Sequence, residues 1–307
     1  MLPVACNKTA DDGKTEAVFQ VSLAQSAQTK VDGVSEAAAV DHLDVFVYDA
    51  SGKYLSTIQP TVTPVVGNTQ YTVKMRLLNN VKYSFVFFAQ KTGTYTFAAD
   101  KSTLTIDYST MLTNADASDA FYARVNDYTV SGAFTQPVTL TRPFAQINFG
   151  SAKADYQAAE ASQVKFDATL KTAISVKQAP SVLNLLTGLV GTPVDVSFQP
   201  NTYMGSAAGS GTLTVSDADF PGATPVRYMG MVYVLADASS TTTLSQVSMS
   251  ISGTQNGNSF ASTREIANVP VRGNYRTQIV GNVFTDEGVF NITLDPAYQT
   301  PDFSANL

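Results

Sequence analysis

The chain has 307 residues, of which 44% are hydrophobic and 14% are charged, with a formal net charge of −6. The acidic balance excludes general binding of nucleic acid, which needs a basic surface. The charged fraction is well below the usual level of about one quarter, and this favours an extracellular β protein over a cytosolic helical one. No run reaches the ~18 apolar residues of a transmembrane helix, so none is predicted.

The first half of the chain shows strand-like alternation from Ala17 onward. Ala17, Phe19, Val21 and Leu23 are apolar and alternate with other residues, so they predict a strand with one buried face. The polar residues 1–16 before it are predicted to be a disordered tether. Further strands of this half are predicted at 42–48, 54–58, 70–78 and 83–89. Residues 107–128 are predicted to be irregular.

The second half resumes strand character at Val138–Phe149, where Arg142 and Pro143 interrupt the pattern. We place a domain junction there, near residues 137–142. Residues 180–188 fit either a short helix or a strand followed by a turn. The other predicted strands are 168–176, 194–198, 211–215, 228–236, 244–252, 266–271, 275–284 and 289–294.

Many short strands separated by Gly, Pro and Asn turns predict an all-β chain with two antiparallel Greek-key β-sandwich domains. The predicted boundaries place the first sandwich at residues 17–139 and the second at residues 140–307.

The residue inventory argues against an enzyme. Cys6 and His42 are the only cysteine and histidine, which excludes an intrachain disulfide, a cysteine zinc site and a histidine-rich metal site. A Ser-His-Asp triad would have to use His42, which starts a strand between Asp41 and Asp44 and fits a strand-edge residue better than a general base. No cofactor or catalytic residue is expected.

Paired carboxylates could in principle serve in glycoside cleavage or in calcium binding. They lie at predicted strand ends and turns, where Asp side chains usually cap backbone N–H groups, so the structural interpretation is preferred. Asp217 and Asp219 lack the rest of a calcium loop. The carboxylates concerned are Asp41, Asp44, Asp49, Asp217, Asp219, Asp237, Asp286 and Glu287.

A glycan-binding surface module is the alternative to an assembly role. The chain has 14 Tyr and 17 Phe but no Trp, the ring most used to stack on sugars. Exposed tyrosines clustered on one sheet face would favour glycan binding. An exposed groove beside the first strand would favour polymerisation.

Several segments, in order, resemble the Bacteroidetes fimbrillin family, the subunits of type V pili. The C-terminal stretch 268–303 carries the strongest likeness, with Asn274-Tyr275-Arg276-Thr277 and Gly281-Asn282 resembling its closing hairpin. The other similar segments are Thr29–Gly33, His42–Asp49, Leu140–Phe149 and Ala179–Gly188.

The resemblance implies two transthyretin-like sandwiches and a pilus subunit that polymerises by donor-strand exchange and supports adhesion. It implies proteolytic removal of the first strand, with Ala17, Phe19, Val21 and Leu23 as the displaced residues. Lys30 is the only basic residue of the loop 24–36, and it is the expected processing site for a trypsin-like protease. The C-terminal hairpin, Tyr275 to Leu294, is expected to contribute to the donor strand or to its docking surface.

The segment Leu2–Asn7 looks like the tail of a bacterial lipoprotein signal, with Ala5 before Cys6. Cys6 is therefore the expected lipidation site. Its lipid is expected to attach the exported protein to the outer membrane at the cell surface. The expected partners are other pilin subunits, a processing protease and a host or bacterial surface receptor. The alternative is a non-polymerising surface lipoprotein that serves as an anchor, a tip or a glycan-binding adhesin.

Overall fold

The computed structural model describes residues 13–24, 40–66, 69–111, 118–165, 170–199, 212–213, 226–285 and 290–295. These residues form an all-β sandwich fold, as the sequence predicts, with one α-helix, Lys153–Ala161, among them. No helix in the described ranges is long and apolar enough to cross a membrane.

The strands of the first half form two sheets. The four-stranded sheet has the order β3-β4-β1-β8, and the three-stranded sheet has the order β2-β5-β7. The strands are β1 Lys14–Leu23, β2 His42–Asp49, β3 Thr61–Val66, β4 Gln70–Leu78, β5 Lys82–Gln90, β7 Phe121–Thr129 and β8 Phe134–Leu140. The short strand β6, Thr103–Thr105, pairs with β10 of the second half, Lys171–Asn184.

The strands of the second half also form two sheets. One has the order β11-β10-β14-β15, with β6 attached to β10, and the other has the order β12-β13-β9-β16-β17. The remaining strands are β9 Phe144–Ser151, β11 Val190–Phe198, β12 Thr212–Leu213, β13 Val226–Leu235, β14 Thr242–Gln255, β15 Asn258–Val271, β16 Arg276–Gly281 and β17 Phe290–Asp295.

Among the described strands the pairing is mostly antiparallel, but each half contains one parallel pair. In the first half β1 runs parallel to β8, from Ala17 opposite Phe134 to Leu23 opposite Leu140. In the second half β9 runs parallel to β16. Alternation of apolar residues predicts which face of a strand is buried, but it does not predict the direction of the neighbouring strand.

Strand β5 explains how the two halves pack. Tyr83, Phe85 and Phe87 join the core between the two sheets of the first half. Val86 and Phe88, on the opposite face, join the larger core that extends through the second half. Burial on both faces accounts for the nearly continuous apolar run of this strand.

Two local predictions were wrong. Residues 107–128 contain the start of β7, a 3₁₀ turn at Tyr108–Thr110 and a buried tyrosine, because tertiary pairing overrides a weak local pattern. Residues 54–58 form only an isolated bridge between Tyr54 and Tyr48. Of the two alternatives for residues 180–188, the strand followed by a turn is confirmed, because β10 continues to Asn184 and a turn follows it.

The predicted junction at Arg142 lies between β8 and β9. The Arg142 guanidinium is 2% exposed and donates from Nε and Nη2 to the Asp119 carboxylate, at 2.8 Å each. Its Cζ atom lies 4.5 Å from the centroid of the Phe121 ring. The buried pair fixes the turn between the halves. Their division into separate domains at residues 139 and 140 stays a prediction.

Candidate functional site

The candidate site is strand β1, which lies in the interior of the four-stranded sheet. It pairs antiparallel with β4, from Lys14 opposite Leu78 to Ser22 opposite Gln70. On its other side it pairs parallel with β8 from Ala17 to Leu23. The predicted displaced strand therefore connects two neighbours and does not lie at an edge.

The inner face of β1 carries the predicted apolar residues. Ala17 and Phe19 are fully buried, and Val21 and Leu23 are 2% and 5% exposed. The Phe19 ring is the centre of an aromatic group that spans both sheets. Its centroid lies 4.8 Å from that of Phe85, 5.1 Å from Phe87 and 5.4 Å from Phe134. Such tilted and edge contacts are favourable beyond simple burial.

The outer face of β1 is polar and faces solvent. Glu16 and Gln20 are exposed, and the Thr72 hydroxyl of β4 donates to Gln20 Oε1 at 3.2 Å. A strand with one buried and one solvated face loses less packing on removal than a strand buried on both faces.

Backbone hydrogen bonds hold both ends of β1. Asn79 N donates to Gly13 O at 3.0 Å, and at the other end Leu23 N donates to Thr69 O at 2.9 Å and Ala24 N to Leu140 O at 2.7 Å. The predicted processing residue Lys30 and the predicted lipidation residue Cys6 lie outside the described residues. The structure thus describes both ends of β1, and cleavage after Lys30, in the segment that follows Ala24, stays a prediction.

Strand β8 depends on β1 for its place in the sheet. Among the described strands of this sheet, β8 pairs only with β1. Its last residues also contribute Val138 and Leu140 to the core, and Thr141 bridges to Tyr122 of β7. Sequence reasoning missed this partner, although Phe134, Val138 and Leu140 already carry an even spacing that suits one strand face.

An open cavity of about 690 Å³ lies beside the start of β1. Lys14 and Glu16 of β1 line it together with Arg76 of β4, and Leu55 and Ile58 form part of its opposite wall. A groove beside the first strand is the feature that would favour polymerisation over glycan binding.

The tyrosines do not form an exposed platform. Every tyrosine whose side chain the structure describes is buried or half-buried. Several of their hydroxyls bond to backbone carbonyls, as Tyr108 Oη does to Pro180 O at 2.6 Å. These tyrosines therefore act as packing residues, and the described side chains form no exposed tyrosine cluster of the kind that would favour glycan binding.

Of the carboxylates that the structure describes, Asp49 and Asp237 act as turn caps, whereas Asp41 and Asp44 accept hydrogen bonds from Thr92 and Gln90, which are distant in the chain. Asp49 accepts hydrogen bonds from Ser51 Oγ, Ser51 N and Lys53 N at 2.6, 2.8 and 3.0 Å. The Ser51 hydroxyl bond is the main reason that the pKa of the Asp49 carboxyl lies below its ordinary value. Asp237 caps Ser239 in the same way. Asp217, Asp219, Asp286 and Glu287 lie outside the described residues.

His42 begins β2 and is exposed. Its Nε2 atom lies 3.3 Å from Asp44 Oδ1. Within the described ranges, no three His, Cys, Asp or Glu residues come together in a way that would hold a metal ion. The surroundings of His42 match those of a strand-edge residue.

Comparison with known proteins gives one family match. A family model described as a family of unknown function, DUF6562, matches residues 9–306. No curated protein matches the chain.

Three solved structures share a distant likeness with the chain. A protein assigned to cell adhesion from Bacteroides ovatus is 10% identical, with a TM-score of 0.46, over 92% of this chain and 98% of that one. A second such protein, from Bacteroides eggerthii, is 12% identical, with a TM-score of 0.46, over 92% and 96%. A fimbrial assembly protein from Parabacteroides distasonis is 12% identical, with a TM-score of 0.41, over 92% and 95%. At these TM-scores the likenesses carry no functional argument.

Proposed function

Because the chain belongs to DUF6562, a family of unknown function, its role has to be inferred from its own residues, and we propose that it is a structural subunit of a cell-surface fimbria. In this proposal a protease cuts after Lys30 and releases β1. A strand from a neighbouring subunit then fills the vacated position, and repetition of this step builds the polymer.

The observation that carries the proposal is the interior position of β1 between β4 and β8. Its removal would expose backbone N–H and C=O groups on two strands at once. Unpaired strand edges bind further strands readily, because each added strand restores backbone hydrogen bonds along its whole length.

Side-chain burial adds a second driving force. Phe19, Val21 and Leu23 are almost fully buried. At roughly 1.5–3 kcal/mol for each such side chain, their removal forfeits on the order of 5 kcal/mol of apolar burial. A donor strand with apolar residues at every second position would recover that free energy.

The two neighbours of β1 also set the direction of a donor. A strand that repeats the present pairing runs antiparallel to β4 and parallel to β8. Such a strand reconnects β8 to its sheet. The C-terminal hairpin formed by β16 and β17 is the proposed source of the donor or of its docking surface, and β17 is the edge strand of its sheet.

The proposal places the protein at the cell surface as an exported lipoprotein whose Cys6 carries the lipid. Its partners are then other pilin subunits, the processing protease and a receptor on a host or bacterial surface. The low charged fraction of the chain supports an extracellular setting.

Limited digestion of the folded protein with trypsin tests the proposal, followed by intact mass analysis and size-exclusion chromatography. We expect one early cut after Lys30, loss of the preceding residues and growth of higher oligomers. A Lys30→Gln variant is the matched control and should stay uncut at this position and monomeric.

Two results would contradict polymerisation by strand exchange. One is an intact Lys30 bond after prolonged digestion, and the other is a cut protein that remains a stable monomer. Either result would move the assignment to a non-polymerising anchor, tip or adhesin.

A further inference from the structure

A second strand edge of the first half is the outer edge of β2, the first strand in the three-stranded sheet β2-β5-β7. Two hydrogen bonds define which residues of β2 face outward, Leu55 N to Val47 O at 2.8 Å and Asp49 N to Lys53 O at 3.0 Å. Since backbone groups alternate in direction along a strand, Leu43 and Val45 also direct their N–H and C=O groups outward. No described residue pairs with this edge over residues 42–46.

A cavity of about 440 Å³ lies against that edge. Leu43 and Val45 line one wall, and Val62, Pro64 and Tyr71 of the neighbouring sheet line the other. Its volume falls in the range of roughly 300–1,000 Å³ that is usual for ligand pockets. We call this space the β2–β3 slot.

Tyr71 lines the slot with its ring, and its hydroxyl is buried. Tyr71 is 2% exposed, and its hydroxyl has no hydrogen-bond partner in the described part of the chain. Burial raises the pKa of Tyr71 to about 12, in keeping with its place in the wall of the slot.

The rim of the slot is acidic. Asp41 accepts from Thr92 N and Thr92 Oγ1 at 2.6 and 2.7 Å, and Asp44 accepts from Gln90 Nε2 at 2.7 Å. These bonds hold both carboxylates in place at the mouth. The described residues that line the slot include no lysine or arginine. A positively charged partner is therefore favoured.

We propose that the β2–β3 slot binds an extended basic peptide segment of a partner protein, which adds as a strand to the outer edge of β2. Its backbone would bond to Leu43 and Val45, every second side chain would enter the apolar slot, and a Lys or Arg would lie against Asp41 and Asp44. This site differs from the β1 position, because it needs no cleavage and lies at the outer edge of β2.

The open edge favours a peptide over a saccharide. Outward N–H and C=O groups that repeat at every second residue match the backbone of an added strand. Sugars are instead held by exposed aromatic faces, whereas Tyr71 is buried and Phe46 is only 6% exposed.

The test is fluorescence anisotropy of the full chain with a labelled seven-residue peptide in which valine and lysine alternate. The key variant is Val45→Pro, which removes the outward N–H while the bonds to β5 come from the adjacent residues. Val45→Thr keeps that N–H and is the matched control. A backbone N-methylated peptide removes the same bonds from the ligand, so the test holds even if Val45→Pro is unstable.

We expect saturable binding of the peptide. Its affinity should fall about tenfold in Val45→Pro, since that variant loses one backbone hydrogen bond and disturbs the neighbouring ones. The affinity of Val45→Thr should change less than about twofold, because this variant keeps the N–H. The N-methylated peptide and a peptide with glutamate in place of lysine should both bind weakly. Equal affinity for Val45→Pro and the unchanged protein, no saturable binding, or undiminished binding of the N-methylated peptide would overturn the proposal.

Discussion

Strands β1 and β9 both have a parallel neighbour in their sheets, yet they are buried in different ways. β1 has one apolar face in the core and one polar face in solvent. All eight residues of β9 are buried. The comparison shows that a central position in a sheet does not by itself decide how much packing a strand contributes. A strand with one solvated face loses less packing on removal than a strand covered on both faces.

Polar side chains strengthen that difference. Gln146 Nε2 donates to Asn148 Oδ1 at 2.9 Å, and Asn148 Nδ2 donates to Gln278 Oε1 of β16 at 3.0 Å. This buried chain ties β9 to its parallel neighbour through side chains as well as backbone. A strand from another subunit would have to reproduce both sets of bonds, which makes exchange at β9 unfavourable.

The largest expected effect comes from adding a charge to each strand. Asn148→Lys places an unpaired ammonium in the core and should lower the free energy of unfolding by more than about 4 kcal/mol. Gln20→Lys, on the solvated face of β1, should change it by less than about 0.5 kcal/mol. Urea unfolding followed by circular dichroism measures both, and similar losses would contradict the comparison.

Removing the central ring of β1 has the next largest effect. Phe19→Ala should cost about 3–4 kcal/mol, because it leaves a cavity beside Phe85, Phe87 and Phe134. Val18→Ala, on the outer face of the same strand, should cost less than about 1 kcal/mol. Thermal unfolding of the two variants checks this, and equal losses would show that β1 is not held by its inner face.

The end of β16 is tied more firmly than the end of β1. Asp155 is 2% exposed and accepts from Ser151 Oγ at 2.8 Å, Val283 N at 2.6 Å and Thr285 N at 2.9 Å. Asp155→Asn should cost about 2 kcal/mol, because the charge is lost and an amide donor meets backbone donors. Glu160→Gln, exposed on the same helix, is the control in urea unfolding and should have little effect.

The smallest expected effect is the stability that two capped or paired carboxylates provide at neutral pH and lose in acid. Hydrogen bonds from Ser51 and from Lys177 hold the pKa values of Asp49 and Asp195, one in each half, below 3.8. A carboxyl whose pKa is lower in the folded protein than in the unfolded chain stabilises the fold at pH values above its unfolded pKa. This stabilisation is lost as the pH falls through its folded pKa. The Tm of Asp49→Asn or Asp195→Asn should therefore lie below that of the unchanged protein at neutral pH, and the gap should close below pH 3.8. A gap that persists at lower pH would contradict this assignment.

Much of the local structure was predictable from residue patterns, and so was the character of the candidate site. The alternation of Ala17, Phe19, Val21 and Leu23 predicted a buried face correctly. The turn positions of Asp49 and Asp237 predicted capping. The start of β7 was missed because its apolar positions do not alternate cleanly, with Ala123 and Val125 only partly buried.

The sequence by itself determined the all-β class, the buried faces of the strands and the absence of a histidine-rich or cysteine-based catalytic site, because these depend on residue type and on a local period of two. Only the tertiary structure decided that β1 lies between β4 and β8, that β1 pairs in parallel with β8 and β9 with β16, and that no described strand pairs with the outer edge of β2 beside Tyr71. Those features depend on contacts between residues far apart in the chain, since backbone pairing is nearly independent of side-chain identity.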